Sequence, residues 1–311
     1  MASPIVSIIM PTYNRAGLIR ETLYAVRKQT FKRWECIIID DGSTDETKKI
    51  IKPITKKDNR FSLIERDSKY RKGPSGCRNL GIDICKGDYI IFFDSDDIVH
   101  PQLLEICVNW MELKDIQFCN FEKTPFLGEF KNVFPNYTGN DKPQLINIEN
   151  IEEIVTQKLG FACCTIMWDK KVLKGKYFNE SLSYAEEWEF YIRLMSEKLS
   201  GIHIDTILYY HRKHPNSNTA EFWENNPIRK ASKVHAVKLV IDNLKEHNLF
   251  KESLVKHFFR LGFQIKEPEI INYTLRQTSP GIFKKLKYKV GYTFYPILKR
   301  FFKLKAKVKN G

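Results

Sequence analysis

Residues 34–46 read WECIIIDDGSTDE, and the fold class turns on them. Cys36 to Ile39 run without a polar interruption, as in a strand buried on both faces rather than one with a solvated side. Asp40-Asp41-Gly42 stops that strand. Ser43 and Glu46 then fit the S-x-x-E capping box, so the spacing predicts a helix starting there.

The same alternation continues outward. Upstream, PIVSIIMPTYN (4–14) is a buried strand that Pro11 ends, followed by a polar loop; Ile19, Leu23 and Val26 then recur at helical spacing. Downstream, FSLIE (61–65) reads as a strand, SGCRNLGIDIC (75–85) as a helix and DYIIFFD (88–94) as a strand. Strands alternating with helices imply right-handed crossovers and a mostly parallel sheet covered on both faces, an α/β fold. In such sheets ligands bind beyond the carboxyl ends of the strands. PTYN, DDGSTD and DSDD (94–97) all fall there.

From about Phe121 to Leu145 the chain is rich in Pro, Gly, Asn and aromatics without clear period, which predicts a long surface excursion. Regular signals resume with a helix at 148–159, a strand at 161–168 (FACCTIMW), an amphipathic helix in SYAEEWEFYIRLM (183–195) and a strand in IHIDTILYYHRKH (202–214). A helical, basic final third follows, without repeats or low-complexity segments.

A chain of 311 residues with 42% hydrophobic and 28% charged residues is globular. Its first apolar run, Ile5 to Met10, is too short for a signal sequence or membrane span, and no later run is long enough to cross a bilayer. The seven cysteines form an odd set with no CxxC pair and no zinc-like histidine spacing, which points to reduced, mostly buried thiols in a cytoplasmic protein. The sequons at Asn136 and Asn179 then carry no meaning. Of the net charge of +14, the eleven Lys and Arg after Glu269 account for +11 and everything before them for +3, so the basic character belongs to the tail.

The chemistry concentrates at strand ends. FFDSDD (92–97) places three carboxylates after an apolar run, and like charges this close cannot all stay ionised cheaply, so a positive partner is expected. In an extended D-x-D spacing Asp94 and Asp96 point the same way and can converge on a hard cation such as Mg²⁺ or Mn²⁺. The alternative is a solvated acidic turn capping a helix that begins near His100. A Gly turn and a capped helix explain Gly42, Ser43 and Glu46, but not two consecutive acids, Asp40 and Asp41, at a strand end; a carboxylate there can accept hydrogen bonds from a nucleobase or ribose.

Four motifs taken together, PTYNR (11–15), DDGSTD (40–45), SGCRNLGI (75–82) and DSDD (94–97), resemble in order and spacing the family 2 glycosyltransferases of the GT-A fold. The resemblance is strong over about the first 110 residues and weaker to about 215. It implies a Rossmann-like mixed, mostly parallel sheet flanked by helices with a helical C-terminal extension. Residues 1–110 would form the nucleotide-sugar-binding half, 111–215 the acceptor-binding half and 216–311 the basic helical region. It also implies an inverting transfer of a sugar from a nucleotide diphosphate donor, with UDP preferred, to a hydroxyl of a saccharide or lipid-linked saccharide in cell-surface polysaccharide or glycolipid synthesis.

Carried over onto matching positions, the resemblance puts Pro11, Thr12, Tyr13 and Asp41 in the nucleoside pocket, with Arg15 and Arg78 near it. Asp94 would meet the ribose or the metal, and Asp96 would be the principal ligand of Mn²⁺ or Mg²⁺. Where the family carries Glu-Asp before a later helix, this chain has Glu186-Glu187. Ser183 and Glu186 fit a capping box, which gives Glu186 a structural task and leaves Glu187 as the general base. Alternatively, Glu187 is a helix-dipole acid. His214, or failing that His211, matches the histidine that approaches the diphosphate or metal.

The tail interleaves Lys with Phe and Tyr, which suits an anionic membrane surface, nucleic acid, or a solvated helix. A glycosyltransferase with lipid-linked acceptors favours the membrane over nucleic acid, placing the protein at the inner face of the plasma membrane. A sugar-nucleotide-forming nucleotidyltransferase would open with a Gly-rich, Arg-containing loop, which PTYNRAG is not. A non-catalytic relative that only binds nucleotide sugars is the remaining alternative.

Overall fold

The computed structural model describes residues 5–114, 116–131, 133–137, 139, 142–213 and 218–278, in two compact units, Met1–Ser232 and Lys233–Gly311. The first unit opens with β1 (Val6–Thr12), α1 (Ile19–Arg27), β2 (Trp34–Asp40), α2 (Thr47–Lys57), β3 (Phe61–Glu65), α3 (Pro74–Ile84) and β4 (Tyr89–Phe92). It continues through β5 (Ile98–Val99), α4 (Leu103–Lys114), β6 (Phe118–Phe126), β7 (Gln144–Ile146), α5 (Ile151–Val155), β8 (Ile166–Asp169), α6 (Lys170–Leu173), α7 (Glu186–Met195), β9 (Gly201–Arg212) and α8 (Asn218–Trp223). The long helix α9 (Pro227–Glu246) leads on to α10 (Glu252–Gln264) and α11 (Pro268–Thr278), so the expected helical C-terminal region is present.

The strands form one mixed sheet in the order β3-β2-β1-β4-β8-β6-β9-β5, with β7 also on β9. β3, β2, β1 and β4 are mutually parallel, as are β6 and β9; β8 runs antiparallel to β4 and β6, and β5 and β7 antiparallel to β9. Val6, Ile8, Ile9 and Met10 are wholly buried beside an equally buried Cys36–Ile39, which is why both strands read as unbroken apolar runs. Ile19, Leu23 and Val26 form the buried stripe of α1. Helix α3 lies close on β1 because residue 81 is glycine: a Cβ there would fall 2.3 Å from Ile9 Cγ2.

Strand order and register together position the site. Thr12 sits opposite Asp40, and Ile9 opposite Phe92, so the loops after β1, β2 and β4 emerge side by side. The sheet order reverses about β1, with β2 on one side and β4 on the other, and such a reversal opens a crevice at the strand ends.

Several local expectations are corrected. Pro11 does not end β1 but lies within it, opposite Ile39; pairing with β4 stops at Ile9, so Pro11 has no β4 neighbour and the missing N–H is tolerated there. The Ser43–Glu46 capping box does not form. α2 starts at Thr47, whose N–H is accepted by Asp45 Oδ1 at 3.0 Å, while Ser43 Oγ accepts the N–H of Asn14 at 3.0 Å. These side chains tie the loop after β2 to the loop after β1, a task that outweighs capping. The helix expected over 148–159 is a 3₁₀ turn and the short α5, ended by Gln157 at φ 58°. The strand expected from Phe161 begins only at Ile166, after a 3₁₀ turn at Cys163–Thr165.

The excursion at 121–145 is structured at its start. β6 runs along β9 as far as Phe126, and Phe130 packs against Phe126, Phe134 and Tyr210 with ring centroids 5.1, 5.3 and 4.9 Å apart. Register shifts at Phe121/Glu122 and Glu122/Lys123 break the alternation that would have announced this strand. All seven cysteines are buried and unpaired, as their spacing led us to expect.

Candidate active site

A cleft of about 460 Å³ opens where the three loops meet, lined by Pro11, Thr12, Tyr13, Arg15, Asp41, Arg78, Asp94, Asp96, Glu186 and Glu187. The donor, metal and base residues assigned from the sequence therefore line one cleft, except His214, which lies outside the described residues. His211, the second candidate, does line the cleft.

The floor is knitted by the loop contacts already described. Asp40 Oδ2 accepts the N–H groups of Gly42 and Ser43 at 3.1 and 2.9 Å, and Asp41 N–H donates to Thr12 O at 2.9 Å. Gly42 has φ 87°, a backbone conformation that glycine adopts without cost. The Asp41 carboxylate is paired with Arg66, a residue the sequence reading left out. Tyr13, at the lip, is 42% exposed, with Lys72 over its ring at 4.9 Å.

The positive charge demanded by DSDD is supplied by two arginines. Arg15 Nε lies 3.1 Å from Asp96 Oδ2, and Arg78 Nη2 lies 3.2 Å from Asp94 Oδ1. Arg78 projects from α3 and is almost wholly buried, yet its Nε and Nη1 have no hydrogen-bond partner. Thr12 Oγ1 is likewise buried and unpaired. Such atoms are costly unless a ligand satisfies them. Asp97, the third acid, accepts the N–H of Arg212 at 2.7 Å; burial, then Asp94 and Asp96, push its carboxyl up to about 8.

Glu186 and Glu187 open α7, whose N-cap is Ala185 at φ 65° with no side-chain cap. The expected Ser183–Glu186 capping box is absent: the N–H groups of Ser183 and Tyr184 both donate to Ser232 Oγ at 2.9 Å, which fixes the entry loop instead. Glu186 is turned inward, 3.8 Å from Arg78 Nη1, and burial, then Glu187, raise its pKa. Glu187 is a third exposed; its Oε1 stands 3.3 Å from Arg78 Nη2 and its Oε2 accepts the N–H of Cys163 at 2.9 Å.

Cys164 also lines the cleft, as do Lys123 and Arg212, which were not assigned from the sequence. Lys123 was hidden by the β6 bulges, and Arg212 Nε donates to Asp96 O at 3.0 Å from the end of β9. Among the described residues no three His, Cys, Asp or Glu side chains converge as a ready-made metal cage. Mg²⁺, however, is ordinarily held by one or two carboxylates with substrate phosphates completing the shell, and Asp94 with Asp96 offer that donor set.

The family profile described as glycosyl transferase family 2 matches residues 7–173. The chain belongs to that family. The match takes in the loops after β1, β2 and β4 and stops before α7. An uncharacterized glycosyltransferase of Rickettsia felis is 32% identical over 202 residues, 63% of this chain but only 31% of that protein, so the chain spans about a third of the relative's length. The UDP-Glc:alpha-D-GlcNAc-diphosphoundecaprenol beta-1,3-glucosyltransferase WfgD of Escherichia coli is 29% identical over 198 residues, 62% of this chain and 70% of that one. Among solved structures, S. aureus TarS 1-349 in complex with UDP-GlcNAc superimposes with a TM-score of 0.61 at 18% identity, covering 93% of this chain and 91% of that chain, which establishes a shared fold. Among the described residues no helix is long and apolar enough to cross a membrane.

Proposed function

We propose that this family 2 glycosyltransferase moves a sugar from a nucleotide diphosphate donor, UDP-linked by preference, to a hydroxyl of a saccharide or lipid-linked saccharide, with inversion. The observation that carries this reading is the convergence, in one cleft, of Asp41, the Asp94/Asp96 pair and Glu187, which come from three separate strand or helix ends. The names of the E. coli relative and of a Campylobacter jejuni relative, a GalNAc(5)-diNAcBac-PP-undecaprenol beta-1,3-glucosyltransferase 27% identical over 200 residues, support a diphospholipid-linked acceptor.

In this reading Pro11, Thr12, Tyr13 and Asp41 hold the nucleoside, with Arg15 and Arg78 close to the diphosphate. Asp94 and Asp96 would hold Mn²⁺ or Mg²⁺, with His214 as a further ligand; when bound, the metal neutralises charge on the departing diphosphate. Glu187 takes the proton of the acceptor hydroxyl as that oxygen attacks the anomeric carbon from the face opposite the diphosphate. The new C–O bond forms while the bond to the phosphate oxygen breaks, and the electron pair leaves with the nucleoside diphosphate. Arg78, in contact with both Asp94 and Glu187, keeps the donor-binding and base ends of the site in fixed relation.

Residues 1–110 serve the donor, 111–215 the acceptor, and the basic tail holds the enzyme on the inner face of the plasma membrane. The test is a panel of nucleotide sugars screened by thermal shift with Mn²⁺, followed by transfer to an undecaprenyl-diphosphate-linked saccharide. Stabilisation by one donor and metal-dependent transfer are expected. A chain that no nucleotide sugar stabilises would defeat the proposal, and one that binds a donor but transfers to no acceptor would be a binding protein.

A further inference from the structure

Beside the cleft lies a second cavity, of about 350 Å³, lined by Phe121, Phe161, Trp188 and Tyr191 together with Glu122 and Gln157. Its size is that of a small-ligand site, ordinarily about 300 to 1,000 Å³. Lys123 and His211 line both cavities and so form the wall between them. The cavity also flanks the candidate base: Trp188 follows Glu187 on α7, and Ala162 precedes the Cys163 whose N–H holds the Glu187 carboxylate.

The walls are fixed from behind. Asn120 Nδ2 donates to Gly160 O at 3.3 Å and Thr165 O at 3.0 Å, and its Oδ1 meets His203 Nδ1 at 2.6 Å, which pins the 160–165 turn to β6 and β9. Trp188 Nε1 donates to Val155 O at 3.1 Å. Polar capacity is left over at the dividing wall. Among the described residues the one hydrogen bond of the Lys123 ammonium is to Cys164 Sγ, at 3.9 Å, and His211 Nδ1 is buried without a partner.

The lining selects a ligand class. Four aromatic side chains offer apolar faces, while Glu122, Gln157, Lys123 and His211 offer both donors and acceptors. An anion would meet the Glu122 carboxylate, and a purely apolar chain would leave the buried His211 Nδ1 unsatisfied. A neutral, polyhydroxylated ring, with C–H faces and hydroxyl edges, fits both demands.

We propose that this second cavity is the subsite for the terminal neutral sugar of the acceptor, with Lys123 and His211 as the wall that separates it from the donor cleft. The assignment to the acceptor rests on the transferase reading above. Lys123 acts as a positioning residue, with ammonium hydrogens directed to ring hydroxyls.

Gly160 provides a clean test, because it lines the cavity, a Cβ there would meet nothing within 4 Å, and its backbone is not in the left-handed region. Gly160→Leu should fill the cavity without disturbing the fold. Saturation-transfer NMR on the full chain, with the methyl β-glycosides of glucose, galactose and N-acetylglucosamine, reads binding directly, and UDP with Mn²⁺ in parallel samples reads the donor cleft. At least one glycoside should receive saturation from the native chain, lose it in Gly160→Leu, keep it in Gly160→Ala and show it weakened in Lys123→Met. No glycoside signal from the native chain, or a signal that Gly160→Leu leaves unchanged, overturns the subsite. Failure of UDP to bind the native chain counts against the donor reading alone, since the glycoside result decides the subsite either way.

Discussion

Arg78 Nη2 lies 3.3 Å from Glu187 Oε1. The same guanidinium, only 4% exposed, also reaches Asp94 at 3.2 Å and Glu186 at 3.8 Å, so one buried cation serves three carboxylates. Removing it leaves Glu186 buried and unpaired, whereas Asp94 and Glu187 keep part of their hydration. Breaking a buried pair costs about 3–5 kcal/mol, and Arg78→Met is expected at the low end, about 3 kcal/mol, by urea denaturation. Arg78→Lys should restore part of this, since a single ammonium cannot span all three acids. A loss below about 1 kcal/mol, the scale of exposed pairs, would show that the web is solvated.

Asp96→Asn should abolish metal-dependent UDP binding while leaving the melting temperature of the metal-free protein within a few degrees of the native value, about 1 kcal/mol of stability. Its carboxylate is the one that Arg15 grips at 3.1 Å, and the amide cannot replace its charge toward a cation. Titration calorimetry with and without Mn²⁺ measures this directly. Unchanged metal dependence in the variant would remove Asp96 from the ligand set.

Glu187→Gln keeps size and hydrogen-bonding reach but removes basicity. Transfer should fall by about 10² to 10⁴, the usual contribution of a general base, with donor affinity little altered. Glu186→Gln should retain most activity, for a reason different from capping: Glu186 is buried against Arg78, and its raised pKa already marks the charge as costly there. If Glu186→Gln is the inactive variant, the two roles must be exchanged.

Asp97 sets a pH dependence. Its carboxyl is pushed up to about 8 from an ordinary 3.8, by burial and then by Asp94 and Asp96. The folded chain therefore binds a proton between those values that the unfolded chain has released, and stability falls as pH rises through this window. In metal-free buffer, Asp97→Asn should be more stable than the native chain at pH 8, and the difference should shrink toward pH 4. Calorimetric melting at several pH values checks the sign; parallel curves for the two proteins would contradict it.

Apart from Arg276 in α11, the basic residues of the tail lie outside the described residues, and its membrane role is tested by deletion. Truncation before Ser279 should abolish cosedimentation with anionic vesicles and spare transfer to a soluble acceptor analogue. Each Lys or Arg near such a surface contributes about 1 kcal/mol, so the loss should be large and salt-sensitive. Equal sedimentation of both forms would locate membrane affinity elsewhere.

By itself, the sequence determined the parallel half of the sheet and the residues that gather at its strand ends. Ile37–Ile39 and Ile8–Met10 are buried on both faces, so their patterns are continuous, and the polar loops that follow them are set by chain order. What only the tertiary structure decided is who pairs with whom across long separations. Ser43 and Glu46 fit a helix cap and Ser183 and Glu186 fit another, yet Ser43 is taken by Asn14, Ser183 is held by Ser232 and Glu186 by Arg78. A local motif states only which hydrogen bonds are within reach along the chain; burial and charge contributed by distant segments choose among them. Lys123 was illegible for the same reason: two bulges against β9 set its direction, and a bulge is a relation between two strands rather than a property of one.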